Sequence, residues 1–89
     1  MKGIITIIGK DKVGIIANVS TLLSNNNVNI LDINQTVMRE YFTMIMLVDL
    51  NNMKIEFDDL QKQLNIKAKE LCMDIKIHRD DIFDKMYEI

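Results

Sequence analysis

Residues 2–25 read KGIITIIGKDKVGIIANVSTLLSN, and within them the spacing of apolar residues changes from that of a strand to that of a helix. The segment from Lys2 to Ile8 is β-branched almost throughout, which favours a strand, and both of its faces are apolar. After a loop from Gly9 to Gly14, helical spacing is shown by Ile15, Ile16, Val19, Leu22 and Leu23. The stretch therefore predicts an internal strand, a glycine-bounded loop and an amphipathic helix that ends at the asparagines 25–27.

The rest of the chain predicts two strands, a second helix and a final strand. Residues 28–37 alternate, and one face becomes polar, which is typical of an edge strand. That face is expected to carry Val28, Ile30, Asp32, Asn34 and Thr36. Residues 42–50 are apolar on both faces and are predicted to be internal. A helix is expected to begin near residues 56–58, where Asp58 and Gln61 have capping-box spacing, and residues 74–78 form the last strand.

The order strand, helix, strand, strand, helix, strand is that of the ferredoxin-like split βαβ fold, an α+β architecture. In this βαββαβ sandwich, a four-stranded antiparallel sheet carries two helices on one face, and the spatial strand order is fourth, first, third, second. The face pattern agrees independently, because the two strands that are apolar on both sides are those placed at the centre. We therefore predict one domain over residues 1–79 and a C-terminal extension over residues 80–89.

This arrangement leaves one sheet face and one sheet edge without cover. The first and third strands would place apolar groups on the face away from the helices, and an exposed patch of that kind usually marks an interface. The extension, in which Ile82, Phe83, Met86 and Tyr87 have helical spacing, is expected to pack on the sheet or on a partner subunit. The second strand could pair with its copy across a two-fold axis. We therefore expect a homodimer or a higher homo-oligomer.

Composition excludes several classes of function. The chain has 89 residues, of which 11 are Lys or Arg and 13 are Asp or Glu, with a formal net charge of -2. A lone Cys72 excludes a disulfide framework or a Cys-rich metal site, and a lone His78 excludes a His-based metal cage. The acidic balance argues against a nucleic-acid partner, and no apolar stretch approaches the roughly 20 residues that span a bilayer. Without a signal-peptide pattern, we expect a cytoplasmic protein with no cofactor, no metal and no membrane partner.

The reactive side chains in the sequence also argue against an enzyme. Asp11 with Lys12 is the only charged pair in a plausible cleft, and no activated nucleophile accompanies it, so no catalytic residue is predicted. His78 is expected to be exposed at the end of the last strand. Cys72 is interpreted as a small core or boundary residue, and Met44, Met46 and Met53 as core or interface residues.

The first loop distinguishes among ferredoxin-like families. It lacks the Cys-x-x-Cys of copper chaperones and the Arg of an acylphosphatase-like phosphate site, and the central strands lack the stacked aromatics of RNA-recognition domains. Residues 9–17, GKDKVGIIA, resemble the Gly-x-Asp-x-Pro-Gly-Ile-x-Ala loop of the ACT domain, with Val13 at the proline position. The likeness continues in NILDINQTV (29–37), EYFTM (40–44) and IFDKMYEI (82–89). The whole chain thus resembles the stand-alone ACT-domain proteins of bacteria, which are related to the glycine cleavage system transcriptional repressor.

This resemblance implies a regulatory module that binds an amino acid or similar small molecule at a dimer interface and signals to a regulated protein. In ACT domains that associate edge to edge, the ligand lies between the first loop and the partner's second strand. The implied ligand-binding residues are Asp11, Lys12, Val13, Gly14, Ile15, Ile30, Asp32 and Asn34, with the opposite-face neighbours Leu31 and Ile33 as the alternative to the last three. A helix N-terminus suits a carboxylate, Gly14 permits close approach to the backbone, and Asp11 could receive the ammonium group.

Simpler interpretations of the same residues remain open. Asp11 could act only as a helix cap and Gly14 only in helix packing, while Asp32 and Asn34 could be the solvated side of an edge strand. The protein as a whole could be a ligand-independent interaction or assembly protein.

Overall fold

The computed structural model describes residues 1–10 and 14–79. The elements are β1 (Lys2–Lys10), α1 (Ile15–Asn25), β2 (Asn29–Met38), β3 (Tyr41–Asp49), α2 (Phe57–Leu71) and β4 (Asp74–Arg79). The strands form one antiparallel sheet in the order β2-β3-β1-β4. This confirms the ferredoxin-like βαββαβ fold and the predicted strand order. The first loop (residues 11–13) and the C-terminal extension (residues 80–89) lie outside the described residues.

The hydrophobic core lies between the sheet and the two helices. Alternation along β1 directs Ile5 and Ile7 into it, and the register sets them opposite Met46 and Met44 of β3. The helices contribute Ile15, Val19, Leu23, Leu60, Leu64 and Ala68. Both methionines are fully buried, as predicted, because the central strands are covered by helices on this face.

Both helices are followed by a residue with a left-handed backbone. Asn27, with φ 61°, follows α1 and confirms the predicted role of the asparagines. Cys72, with φ 56°, ends α2 and is exposed, so its expected place near the core is wrong, because a residue that leaves the last turn leaves the buried stripe. The predicted capping box is also wrong. The N-cap of α2 is Glu56, and Asp58 lies within the first turn, where its charge favours the positive end of the helix.

A β-bulge changes the predicted faces of β2. Ile30 pairs with Val48 and Asp32 pairs with Leu47, so the residue between them is an extra one on this strand. Directly opposed residues of antiparallel strands share a face. Ile30 therefore lies on the helix side of the sheet, whereas Asp32 and Asn34 lie on the other side. The prediction that all three share one face is wrong because an inserted residue reverses the alternation that follows it.

The side of the sheet away from α1 and α2, called the open face below, is apolar at its centre. On this face Ile4 lies opposite Leu47. Ile45 of β3 lies opposite Thr6, the residue between Ile4 and Ile8 on the same face of β1. Ile8 and Ile45 are exposed, and no described helix covers them. The apolar open face is thus confirmed, and its cover by the C-terminal extension stays a prediction.

Candidate functional site

The N-terminus of α1 has the geometry expected of an anion-binding position. Gly14, the N-cap, has φ 89°, a conformation that glycine adopts without steric strain. Its carbonyl oxygen accepts hydrogen bonds from the main-chain N–H of Asn18 at 2.9 Å and from Asn18 Nδ2 at 2.8 Å. The N–H groups of residues 15–17 have no acceptor within the helix, and the first turn carries no acidic side chain. Donors and the positive helix end therefore converge beside Gly14.

The structure limits what Ile15 can contribute to a site. Its side chain is 2% exposed and packs in the core, where it anchors the first turn of α1. Only its main-chain N–H can contact a ligand. Asp11, Lys12 and Val13, which are predicted to complete the loop, lie outside the described residues, and their roles stay predictions.

A groove between α1 and α2 opens beside Gly14. Its volume is about 390 Å³, within the range of small-molecule sites. The polar and small side chains that line it include Ala17, Asn18, Thr21, Gln63 and Lys67. At the far end, Asn26 Nδ2 donates a hydrogen bond of 2.8 Å to Gln63 Oε1 and so joins the two helices.

Sequence reasoning missed this groove because lysines on an amphipathic helix such as α2 are ordinarily expected on its solvated face. Lys67 is only half-buried, and its Nζ lies 3.1 Å from Oε2 of Glu70. The available signal was the run of small and polar residues on the side of α1 away from its apolar stripe. That signal is weak, because such residues are equally common on a solvated helix face.

The two halves of the predicted site do not meet within one chain. Lys10 pairs with Tyr41, which follows the turn after β2, so α1 begins at the sheet end where β2 finishes. Ile30 lies at the opposite end of β2, beside Val48. Ile30 can therefore come close to Gly14 only through a second copy of the chain.

Within residues 1–10 and 14–79, no other strand pairs with the outer edge of β2, called the free edge below. Every residue of this strand except Ile30 is exposed, and the sequence NILDINQTVM contains neither Lys nor Pro and has Asp32 as its only charge. The opposite edge strand, β4, is shorter and reads DIKIHR, with charged or titratable side chains at four positions. Short, charged edge strands resist pairing, whereas long uncharged ones favour it. Of the two sheet edges, β2 is the one suited to pair with another strand.

Other kinds of site find little support in residues 1–10 and 14–79. They contain no group of three or more His, Cys, Asp or Glu side chains placed to hold a metal ion. His78 is exposed, as predicted, and lies on the open face opposite Ile4. None of the helices in this part of the chain is long and apolar enough to cross a membrane.

Comparisons with known proteins agree with the fold. A family model described as the ACT domain matches residues 3–78. A UPF0237 protein of Clostridium acetobutylicum is 54% identical over 89 residues, which are 100% of both chains. The structure of an ACT domain protein from Streptococcus pneumoniae has a TM-score of 0.83 at 42% identity and covers 98% of each chain. A structure described as a glycine cleavage system transcriptional repressor has a TM-score of 0.73 at 22% identity, over 88% of this chain and 44% of that one, which shows a shared fold alone.

Proposed function

This chain belongs to the ACT domain family, and we propose on that premise that it is a regulatory module which binds an amino acid, or a similar small molecule, between two copies. The supporting observation is the N-terminus of α1, where the N–H groups of residues 15–17 have no acceptor within the helix and Gly14 leaves the backbone accessible. An amino-acid carboxylate is a suitable anion for that position. The adjacent groove could hold a side chain. The function proposed is binding and signalling to a regulated protein in the cytoplasm, not catalysis.

The proposal gives the predicted residues separate roles. Asp11 receives the ammonium group of the ligand, and Lys12 and Val13 form the loop around it. Ile15 contributes its main-chain N–H. From the second strand of the other copy, the side chain of Ile30 is on the same side of the sheet as α1. Asp32 and Asn34 are on the open face, so we propose that their main chain, and not their side chains, borders the ligand.

The direct test is calorimetric titration of the protein with each standard amino acid, with thermal denaturation as a second measurement. Asp11→Asn removes the proposed ammonium acceptor and is expected to weaken binding about 10- to 100-fold, the effect of losing one charged hydrogen bond. Asp59→Asn is the matched control, because it makes the same change of charge at an exposed carboxylate in the first turn of the other helix, α2. Equal binding by both variants contradicts the proposed role of Asp11. Neither heat nor a thermal shift with any amino acid contradicts the amino-acid ligand.

The exposed edge of β2 favours a second candidate function, which is assembly without a ligand. Sedimentation with and without a bound amino acid separates the two functions. A ligand site shared by two copies requires that the ligand lower the dimer dissociation constant, because binding and association are linked. A ligand-independent dissociation constant supports the assembly function instead.

A further inference from the structure

We propose that the C-terminal segment of this chain, residues 80–89, folds back on its own sheet and covers the open face. The arrangement is supported by the apolar centre of that face, by the point at which the chain leaves β4 and by the sequence of the segment. It requires neither a ligand nor a second copy, and it is therefore separate from the proposed function.

The apolar centre of the open face extends along both central strands. Ile4 lies opposite Leu47, and Ile45 lies opposite Thr6 at the next position on the same face. Ile8 and Ile45 are 49% and 47% exposed. Contact between water and apolar surface is unfavourable in proportion to its area, so a cover over these side chains is favoured.

The chain leaves the sheet beside one end of this apolar centre. β4 is the edge strand next to β1, and its last residue, Arg79, pairs with Gly3. Ile4 is the next residue of β1, whereas Ile8 lies four residues further along the strand, about 13 Å away. The residues that follow Arg79 therefore start at one end of the apolar centre, about 5 Å from the neighbouring strand.

The length of the segment matches the length of the surface to be covered. Residues 80 and 81, in an extended conformation, reach from β4 to the middle of the sheet, since each spans about 3.3 Å. The eight residues from 82 to 89 would form a helix about 12 Å long, at about 1.5 Å per residue. A helix of that length that starts near Ile4 ends near Ile8.

The sequence of the segment has the pattern of such a helix. Its apolar residues recur at i, i+1, i+4, i+5 and i+7 and share one side of a helix: Ile82, Phe83, Met86, Tyr87 and Ile89. The other side carries the charged residues Asp84, Lys85 and Glu88. Isolated helices shorter than about 12 residues are marginally stable in water, so the segment needs an apolar surface on which to fold.

Charges along the border of the open face complement those of the segment. Lys76 and His78 of β4 lie on this face, opposite Thr6 and Ile4, and both are exposed. Lys76 Nζ lies 3.9 Å from Oδ2 of Asp74, a long contact that leaves donors for another carboxylate. The segment from 80 to 89 has four acidic residues and one lysine, so its net charge is opposite to that of this border.

The short connection to β4 favours cover by the same chain over cover by another molecule. A segment tethered this close to its surface has an effective concentration in the millimolar range, whereas a separate molecule loses translational and rotational freedom on binding. The segment departs from the sheet edge opposite β2. The free edge of β2 therefore stays uncovered.

Thiol labelling measures whether the open face is covered. In a Cys72→Ser background, Ile45→Cys places a thiol on this face, and Ile66→Cys on α2 is the matched control, because the two side chains are 47% and 59% exposed. We expect a maleimide to react with Ile45→Cys at least ten times more slowly than with Ile66→Cys. Adding Phe83→Asp places a charge on the apolar side of the segment and should accelerate labelling at 45 at least tenfold, without a change at 66.

Equal labelling rates at 45 and 66, or a rate at 45 that Phe83→Asp does not change, overturn the proposal. Urea denaturation of the Phe83→Asp protein separates opening of the face from unfolding, and Met86→Ser, a milder change on the same side, is used if the transition is lost. Protection at 45 that disappears on dilution shows that a second copy supplies the segment and also overturns the proposal. Ligand binding is measured separately by calorimetry, so these outcomes leave the proposed function intact.

Discussion

The substitution Val37→Ser tests association through β2 without touching the hydrophobic core. Val37 is 59% exposed and lies on the helix side of an edge strand. Serine removes two methyl groups but leaves the main-chain donors and acceptors in place. The folded monomer should therefore be little affected, whereas a dimer that covers this side chain should be weakened.

The exposed fraction sets the expected magnitude. Complete burial of a valine side chain contributes about 1.5 kcal/mol, so the 59% still exposed in one chain is worth about 1 kcal/mol on pairing. The two-fold axis doubles this contribution, to about 2 kcal/mol for the dimer. We therefore expect Val37→Ser to raise the dimer dissociation constant about 30-fold.

Sedimentation equilibrium over a range of protein concentrations measures that constant. The matched control is Ile66→Ser on α2, because Ile66 is also 59% exposed and lies away from β2. We expect the control to leave the dissociation constant within about twofold, since surface substitutions outside an interface change free energies by less than about 0.5 kcal/mol. Equal effects of the two substitutions, or no effect of either, would refute pairing through β2.

Three further predictions concern stability, each measured by urea denaturation. Gly14→Ala places a Cβ at φ 89° and should lower the free energy of unfolding by about 1 kcal/mol; an unchanged midpoint would show that the helix start relaxes to another conformation. Cys72→Gly relieves a left-handed residue at the end of α2 and should raise that free energy by about 0.5–1 kcal/mol, and a loss would mean that the exposed thiol makes favourable contacts. Leu64→Ala deletes a side chain that is 1% exposed and should cost about 3 kcal/mol, whereas a cost below about 1 kcal/mol would indicate that the core between α2 and the sheet is loosely packed.

Much of the fold could be predicted because its signals are local. Both faces of β1 are apolar, and β2 is polar on much of its length, so the centre and the edge of the sheet could be told apart from alternation alone. The buried methionines of β3 followed from the same alternation. The resemblance of residues 9–17 to an ACT loop then directed attention to Gly14, and the structure places that residue at the start of α1 with φ 89°.

The features that the sequence did not predict share a physical cause. Each depends on contacts between segments that are separate in the sequence. The bulge after Ile30 is a property of the β2–β3 pairing and leaves no mark in the spacing of β2 itself. The groove beside Gly14 exists only because α1 and α2 pack side by side. The start of α2 at Phe57 lies within the predicted range of residues 56–58, but the capping box at Asp58 was wrong. Phe57 packs against the core and belongs to the helix, so the N-cap is Glu56.

Gly9 illustrates the difference between what the sequence predicts and what only the tertiary structure shows. Its sequence context suggests only a loop boundary, yet it belongs to β1, and a Cβ built there would lie 2.9 Å from Sδ of Met73. Periodicity determined which segments are strands and helices and which strands are central, because those choices depend on the apolar faces that each segment must bury. Tertiary structure alone decided where Asp32 points and which side chain packs against Gly9. Both depend on strand register and on contacts between segments distant in sequence.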